Sequence, residues 1–137
     1  MELAIADCAT ETPVFDNLIH SEVTINPYAF KVNNITPEML KGKPTLGDVW
    51  ATVEGVVGNR IMLASNSPFD ERLLNQSLQK YGLVCSFIWQ DIQTLYRNYS
   101  CQNPASDYPL KTKGMCQQLG IEAGTHRAMT DVIAQIR

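Results

Sequence analysis

The sequence predicts an α/β domain with a mixed sheet flanked by helices. Two short apolar runs, LAIADCA and PVFDNLIH, open the chain as candidate strands. Two more, RIMLAS and VCSFIWQ, are each followed by a helical segment. An order of strands first, then helices alternating with strands, fits a mixed sheet.

The elements follow in order. The polar TET and Pro13 between the first two runs read as a hairpin connection. In NNITPEML, Thr36 suits an N-cap, Pro37 the first helical position and Glu38 the first turn, and Gly42 ends the helix. In TLGDVWATVEGVV, Thr45 can cap a helix whose Leu46, Val49, Trp50, Val53, Val56 and Val57 share one stripe. After RIMLAS, a polar turn enters a helix with Phe69, Leu73, Leu74, Leu78 and Tyr81 on its predicted buried face. VCSFIWQ is strand-like, DIQTLYRNY helical and CQNPASDYP a loop. LKTKGMCQQLG makes a further helix, with Leu110, Met115, Cys116 and Leu119 inward and Gly120 as its C-terminal cap. Thr125 can cap the last helix.

The 137 residues suffice for one domain with a real core. Composition is ordinary for a soluble globular protein, at 45% apolar and 18% charged. A net charge of −3 argues against a non-specific nucleic-acid coat, which carries a basic surface. It leaves room for an enzyme that meets phosphates through metal ions. Cys8, Cys85, Cys101 and Cys116 form no Cys-x-x-Cys pair, so buried free thiols in a reducing compartment are expected. MELAIADC has no basic leader, and no window reaches the ~18 apolar residues of a membrane span. A cytoplasmic protein with no membrane partner is the expectation. Gly-x-Gly-x-x-Gly, phosphate-binding Gly-Lys-Ser/Thr and Gly-x-Ser-x-Gly are all absent.

Few residues carry candidate chemistry. His126 is one of two histidines, and Asp131 follows five residues later. On one continuous helix that spacing would point the side chains ~140° apart, so they could border a cleft only from a loose first turn. Asp70 stands beyond the C-terminal end of a predicted strand, where α/β sheets place ligands. First-turn dipole stabilisation is its purely structural role. Asp91, at a similar junction, reads as a helix cap.

Four stretches, in order, carry a likeness: HSEVTINPYAFKVNNITPEML, LASNSPFDERLL, QDIQTLYR and MCQQLGIEAGTHRAMTD. Together they resemble the DEDDh 3′–5′ exonucleases, the proofreading-exonuclease family of the ribonuclease-H-like fold, over essentially the whole chain. The resemblance implies Asp131 and Asp70 as metal ligands and His126 as the general base that deprotonates the attacking water. It implies Asn66 and Phe69 beside the substrate. The implied reaction is hydrolysis of the 3′-terminal phosphodiester of a single-stranded 3′ end, releasing nucleoside monophosphates. Two Mg²⁺ or Mn²⁺ ions would serve it. Such ions prefer carboxylate oxygens and can activate water and stabilise a leaving oxygen together. Histidine suits the base. A polymerase or another protein is an expected partner.

The family's first motif, Asp-x-Glu on a strand, is not found. Alternate strand residues share a face, so that motif aims two carboxylates at one ion. Asp7 and Glu11 lie four apart, a span of ~13 Å, too far for one ion. MELAIADCATETPVFDNLI resembles the family's second strand, hairpin and third strand, so the first strand is expected upstream of Met1. Ser65 stands where many members have His, and the last helix ends early for the family. One exonuclease-like domain, incomplete at its N-terminus and slightly short at its C-terminus, is therefore expected over residues 1–137. Loss of a central strand leaves backbone edges that invite pairing with another chain, including a strand-exchange homo-oligomer. Weak metal binding and impaired nuclease activity are expected. The alternative is a catalytically inactive exonuclease-like module that binds nucleic acid or, by strand addition, a protein.

Overall fold

Two short strands, β1 (Glu2–Asp7) and β2 (Thr12–Leu18), pair antiparallel with Ile5 opposite Phe15, both buried. The Asp7 carboxylate turns the chain between them by accepting the Ala9 N–H at 2.8 Å and the Thr10 N–H at 3.2 Å. The computed structural model describes residues 1–22, 24–102 and 112–136. They form two compact units, Met1–Gly58 with Gly124–Ile136, and Asn59–Ala123.

In the first unit, α1 (Pro27–Asn33) follows the hairpin. The sequence reading placed no helix there. Asn26 caps it by accepting the Tyr28 N–H at 2.9 Å, and Pro27 starts it, but none of its residues is buried. Without a buried face it shows no apolar stripe. The short α2 (Pro37–Leu40) is capped by Thr36 as expected. The helix α3 (Leu46–Val57) carries a full capping box, with Thr45 and Asp48 each accepting the other's backbone N–H. Its stripe buries Leu46, Trp50, Val53 and Val57, and it packs on β2. Each such side chain contributes about 1.5–3 kcal/mol.

The second unit opens with β3 (Ile61–Ala64) and α4 (Ser67–Gln79), then β4 (Ile88–Asp91) and α5 (Ile92–Gln102). β3 and β4 pair in parallel with Ile61 beside Ile88, and α4 packs on both. Leu74 and Leu78 form its buried face, but Phe69 and Leu73 are exposed, contrary to the expected stripe. The helix α6 (Thr112–Leu119) buries Met115 and Cys116, whereas Leu119 is exposed. Leu119 is the last residue before the left-handed Gly120, which lets the Ile121 N–H return to the Cys116 carbonyl at 2.8 Å. Leu110 and most of the CQNPASDYP loop lie outside the described residues. Cys85 and Cys116 are buried, but Cys8, in the hairpin turn, is exposed.

The chain then rejoins the first unit in α7 (Ala128–Ile136), which packs on β1 and β2. Among the described residues no helix is long and apolar enough to cross a membrane.

Candidate active site

Helix α7 begins at Ala128, later than HRAMTD suggests, because His126 takes φ 61°. A left-handed residue cannot continue a right-handed helix. The segment from Gly124 to Arg127 instead folds back over the first turn of α7. The His126 N–H donates to Asp131 Oδ1 at 3.1 Å, and the Thr125 N–H donates to Thr130 Oγ1 at 3.1 Å. Thr125 therefore does not cap α7; it leans on the helix from outside. A Cβ on Gly124 would stand 2.7 Å from the Asp131 Cα and 2.8 Å from its nitrogen, so only glycine permits this approach. The ~140° separation expected of a continuous helix does not apply. His126 is exposed, Asp131 half-buried, and the backbone of one meets the carboxylate of the other.

Glu2, at the start of β1, holds the same segment. Arg127 donates from Nη2 to Oε1 at 2.6 Å and from Nε to both oxygens at 3.1 Å. Ala128 adds its N–H to Oε2 at 2.8 Å. Arg127 holds the Glu2 carboxyl below the usual carboxylate range, against the opposing effect of burial. Sequence reasoning missed this residue. Two positions 125 apart leave no local spacing to read.

The second unit places Asn66, Phe69 and Asp70 together at the start of α4. Asn66 is also left-handed, at φ 61°, and its side chain caps nothing. The anchor is Asp91, at the end of β4. Its Oδ1 accepts the Asn66 N–H at 2.7 Å and the Ser67 N–H at 3.2 Å. Its Oδ2 accepts the Thr94 N–H at 3.2 Å and the Thr94 hydroxyl at 2.9 Å. The expected cap on α5 is thus present, with a second role on α4 that the sequence did not reveal. Burial alone would raise the Asp91 carboxyl, but the hydrogen bonds from Thr94, Ser67 and Asn66 outweigh it and hold it low. Asp70 is half-buried, and burial pushes its carboxyl up. Among the described residues no lysine or arginine pairs with it. Phe69 stays 49% exposed, with the Arg72 guanidinium 5.8 Å from its ring centre.

Carboxylates suit Mg²⁺ or Mn²⁺. Among the described residues, however, no three His, Cys, Asp or Glu side chains are grouped to hold a metal ion. The donors gathered are too few for the two-ion site that the motifs imply.

The family model RNase_T, described as Exonuclease, matches residues 1–137. The PolC-type DNA polymerase III of Halalkalibacterium halodurans is 36% identical over 53 residues, which are 39% of this chain and 4% of the polymerase. The chain thus corresponds to a small part of that relative's length. Exonuclease X, solved in complex with 5′-overhanging duplex DNA, superposes with TM-score 0.76 at 22% identity, over 98% of this chain and 76% of the other. A 3′-exonuclease solved in specific recognition of the histone mRNA stem-loop gives TM-score 0.72 at 14% identity, over 98% and 65%. These likenesses bear out the ribonuclease-H-like exonuclease fold that the motifs suggest.

Proposed function

We propose, from the premise that the chain belongs to this exonuclease family, that it is a DEDDh-type 3′–5′ exonuclease domain whose catalysis is impaired as it stands. The substrate is the single-stranded 3′ end of a nucleic acid, and the family reaction uses Mg²⁺ or Mn²⁺. The relatives support a nucleic-acid substrate: one is solved on DNA and one on RNA. The polymerase match supports a replicative or repair partner.

One observation carries the reading. The left-handed turn at His126 leaves its imidazole exposed at the helix end that bears Asp131, with the two residues bonded to each other. A core histidine would be buried. His126 acts as the base, Asp131 and Asp70 as ligands, and Asn66 and Phe69 contact the terminal nucleotide. The half-buried Asp70 carboxylate suits a cation, whose charge would offset the cost of burying it. The exposed Phe69 ring suits stacking on a base. Impairment follows from the 137 residues holding no Asp-x-Glu. We place the protein in the cytoplasm and read residues 1–137 as a single exonuclease-like domain.

A second reading, an inactive module that binds nucleic acid or a protein, is favoured by the open face of the second sheet. There Ile61 of β3 and Ile88 of β4, paired with each other, are 61% and 64% exposed, and among the described residues each strand pairs on one side only. Strand addition or strand exchange between copies would use such an edge.

The test is shortening of 5′-labelled single-stranded DNA and RNA by the purified chain with Mg²⁺ or Mn²⁺. The expected result is trace 3′ shortening that Asp131→Ala abolishes. Robust shortening would overturn the impairment. Binding without any cleavage would favour the second reading.

A further inference from the structure

We infer that Glu2 is a positioning residue for the His126–Asp131 pair, acting through Arg127 and the Ala128 N–H. The inference rests on the reading of His126 and Asp131 as reactive residues, and it deepens that reading.

Every link is in place. The guanidinium meets the Glu2 carboxylate through Nη2 at 2.6 Å and through Nε at 3.1 Å to each oxygen. Charge-assisted bonds from two guanidinium nitrogens fix direction as well as distance. The same carboxylate takes the Ala128 N–H at 2.8 Å, an N–H that the first helical turn cannot satisfy by itself. Arg127 lies directly after His126, and its own carbonyl accepts the Asp131 N–H at 3.0 Å and the Thr130 hydroxyl at 2.9 Å. The residue that Glu2 grips therefore sits between the histidine and the turn that carries Asp131. Asp16 on β2 is a second negative charge that favours the charged Arg127 guanidinium.

Helix α7 already packs on both strands of the hairpin, so its apolar face keeps it seated. What the clamp adds is the rotation and entry angle of its first turn. The Glu2 side chain is only 10% exposed while that of Arg127 is 42% exposed, so the contact is anchored from the buried carboxylate.

The test compares amide ¹H–¹⁵N spectra of the purified chain with those of Glu2→Gln and Arg127→Lys. The first removes the charge and keeps the shape; the second keeps the charge and loses the planar fork. The His20 N–H, bonded to the Pro44 carbonyl at 2.8 Å, reports on the rest of the unit. The expected result is a folded protein with His20 unmoved and with the His126 and Asp131 resonances shifted or broadened. In a form with measurable nuclease activity, kcat falls about tenfold or more with KM unchanged, since small misplacements act on the chemical step. Unmoved His126 and Asp131 resonances in either folded variant overturn the inference. Unfolding of both variants overturns it too, because Glu2 would then serve stability alone. The spectra need no activity, so resonances that shift in a protein which still fails to cut after an Asp-x-Glu strand is added would sink the nuclease reading and spare the clamp's geometry.

Discussion

At the start of α7, in the first unit, the carboxylate of Glu2 accepts the Ala128 N–H; at the start of α4, in the second, that of Asp91 accepts the N–H groups of Asn66 and Ser67. Both strand residues tie down a helix entered through a left-handed residue at φ 61°, His126 in one case and Asn66 in the other. Each helix then carries an aspartate in its first turn, Asp131 and Asp70. The two candidate ligands differ in what they do at rest. Asp131 is woven into its own turn through the His126 N–H. Asp70 is half-buried, with its carboxyl pushed up by burial and no basic side chain paired to it among the described residues. Asp131 is thus part of the local structure, whereas Asp70 is tolerated by it.

The largest expected effect is at Gly124. Gly124→Ala forces the new Cβ against the Asp131 backbone, at 2.7 and 2.8 Å. The segment must move, at a cost of about 3 kcal/mol, seen as a lower urea midpoint. Residues 59–70, leading into α4, hold no glycine, so a wild-type midpoint would erase the contrast between the two helix starts.

Asp91→Ala comes next. It strips the acceptor from the Asn66, Ser67 and Thr94 N–H groups. The expected loss is about 2 kcal/mol, with faster amide exchange at Asn66 and Ser67 and none at Ala128. Exchange rising at both helix starts would mean that the anchors are not independent.

Acid should act on both anchors in the same sense. The folded-state pKa of Glu2 and of Asp91 lies below the ordinary value. Each therefore contributes stability above its unfolded pKa of about 4, lost as pH falls through the folded value. Stability measured between pH 7 and pH 3 should fall at the acid end, and less steeply in Glu2→Gln. An unchanged slope in that variant would remove Glu2 from the anchors.

The smallest effect has the opposite sign. The Asp70 carboxyl is raised on folding, so its charge costs stability above the folded pKa, and the cost is relieved as pH falls through it. Asp70→Asn should raise stability at neutral pH by about 0.5 kcal/mol, with solvent screening keeping the gain small. A loss would show that Asp70 has a structural partner after all.

Much of this was legible from local pattern. The β1–β2 hairpin follows from two apolar runs and a polar turn, and α3 follows from Thr45 and a stripe ending in Val57. His126 and Asp131 were legible as a motif. The geometry joining them was not, because a positive φ at a histidine leaves no mark in the spacing. Helix α1 was missed because it buries nothing. Phe69, Leu73 and Leu119 are apolar yet exposed, because buried residues are mostly apolar while apolar residues need not be buried. Glu2 and Asp91 were hardest of all. Their partners on other elements are fixed by tertiary packing, and no sequence window contains both ends of the contact.

The central claim is that His126 and Asp131 belong to a nuclease site lacking its first pair of carboxylates. It is tested most directly by extending the chain at Met1 with an apolar strand ending in Asp-x-Glu. Shortening of a 5′-labelled strand in Mg²⁺ or Mn²⁺ is then compared with His126→Ala and Asp131→Ala in the same extended protein. The expected result is 3′-end shortening that both substitutions abolish. A folded, extended protein that fails to cut, or that cuts equally well without His126, would contradict the account.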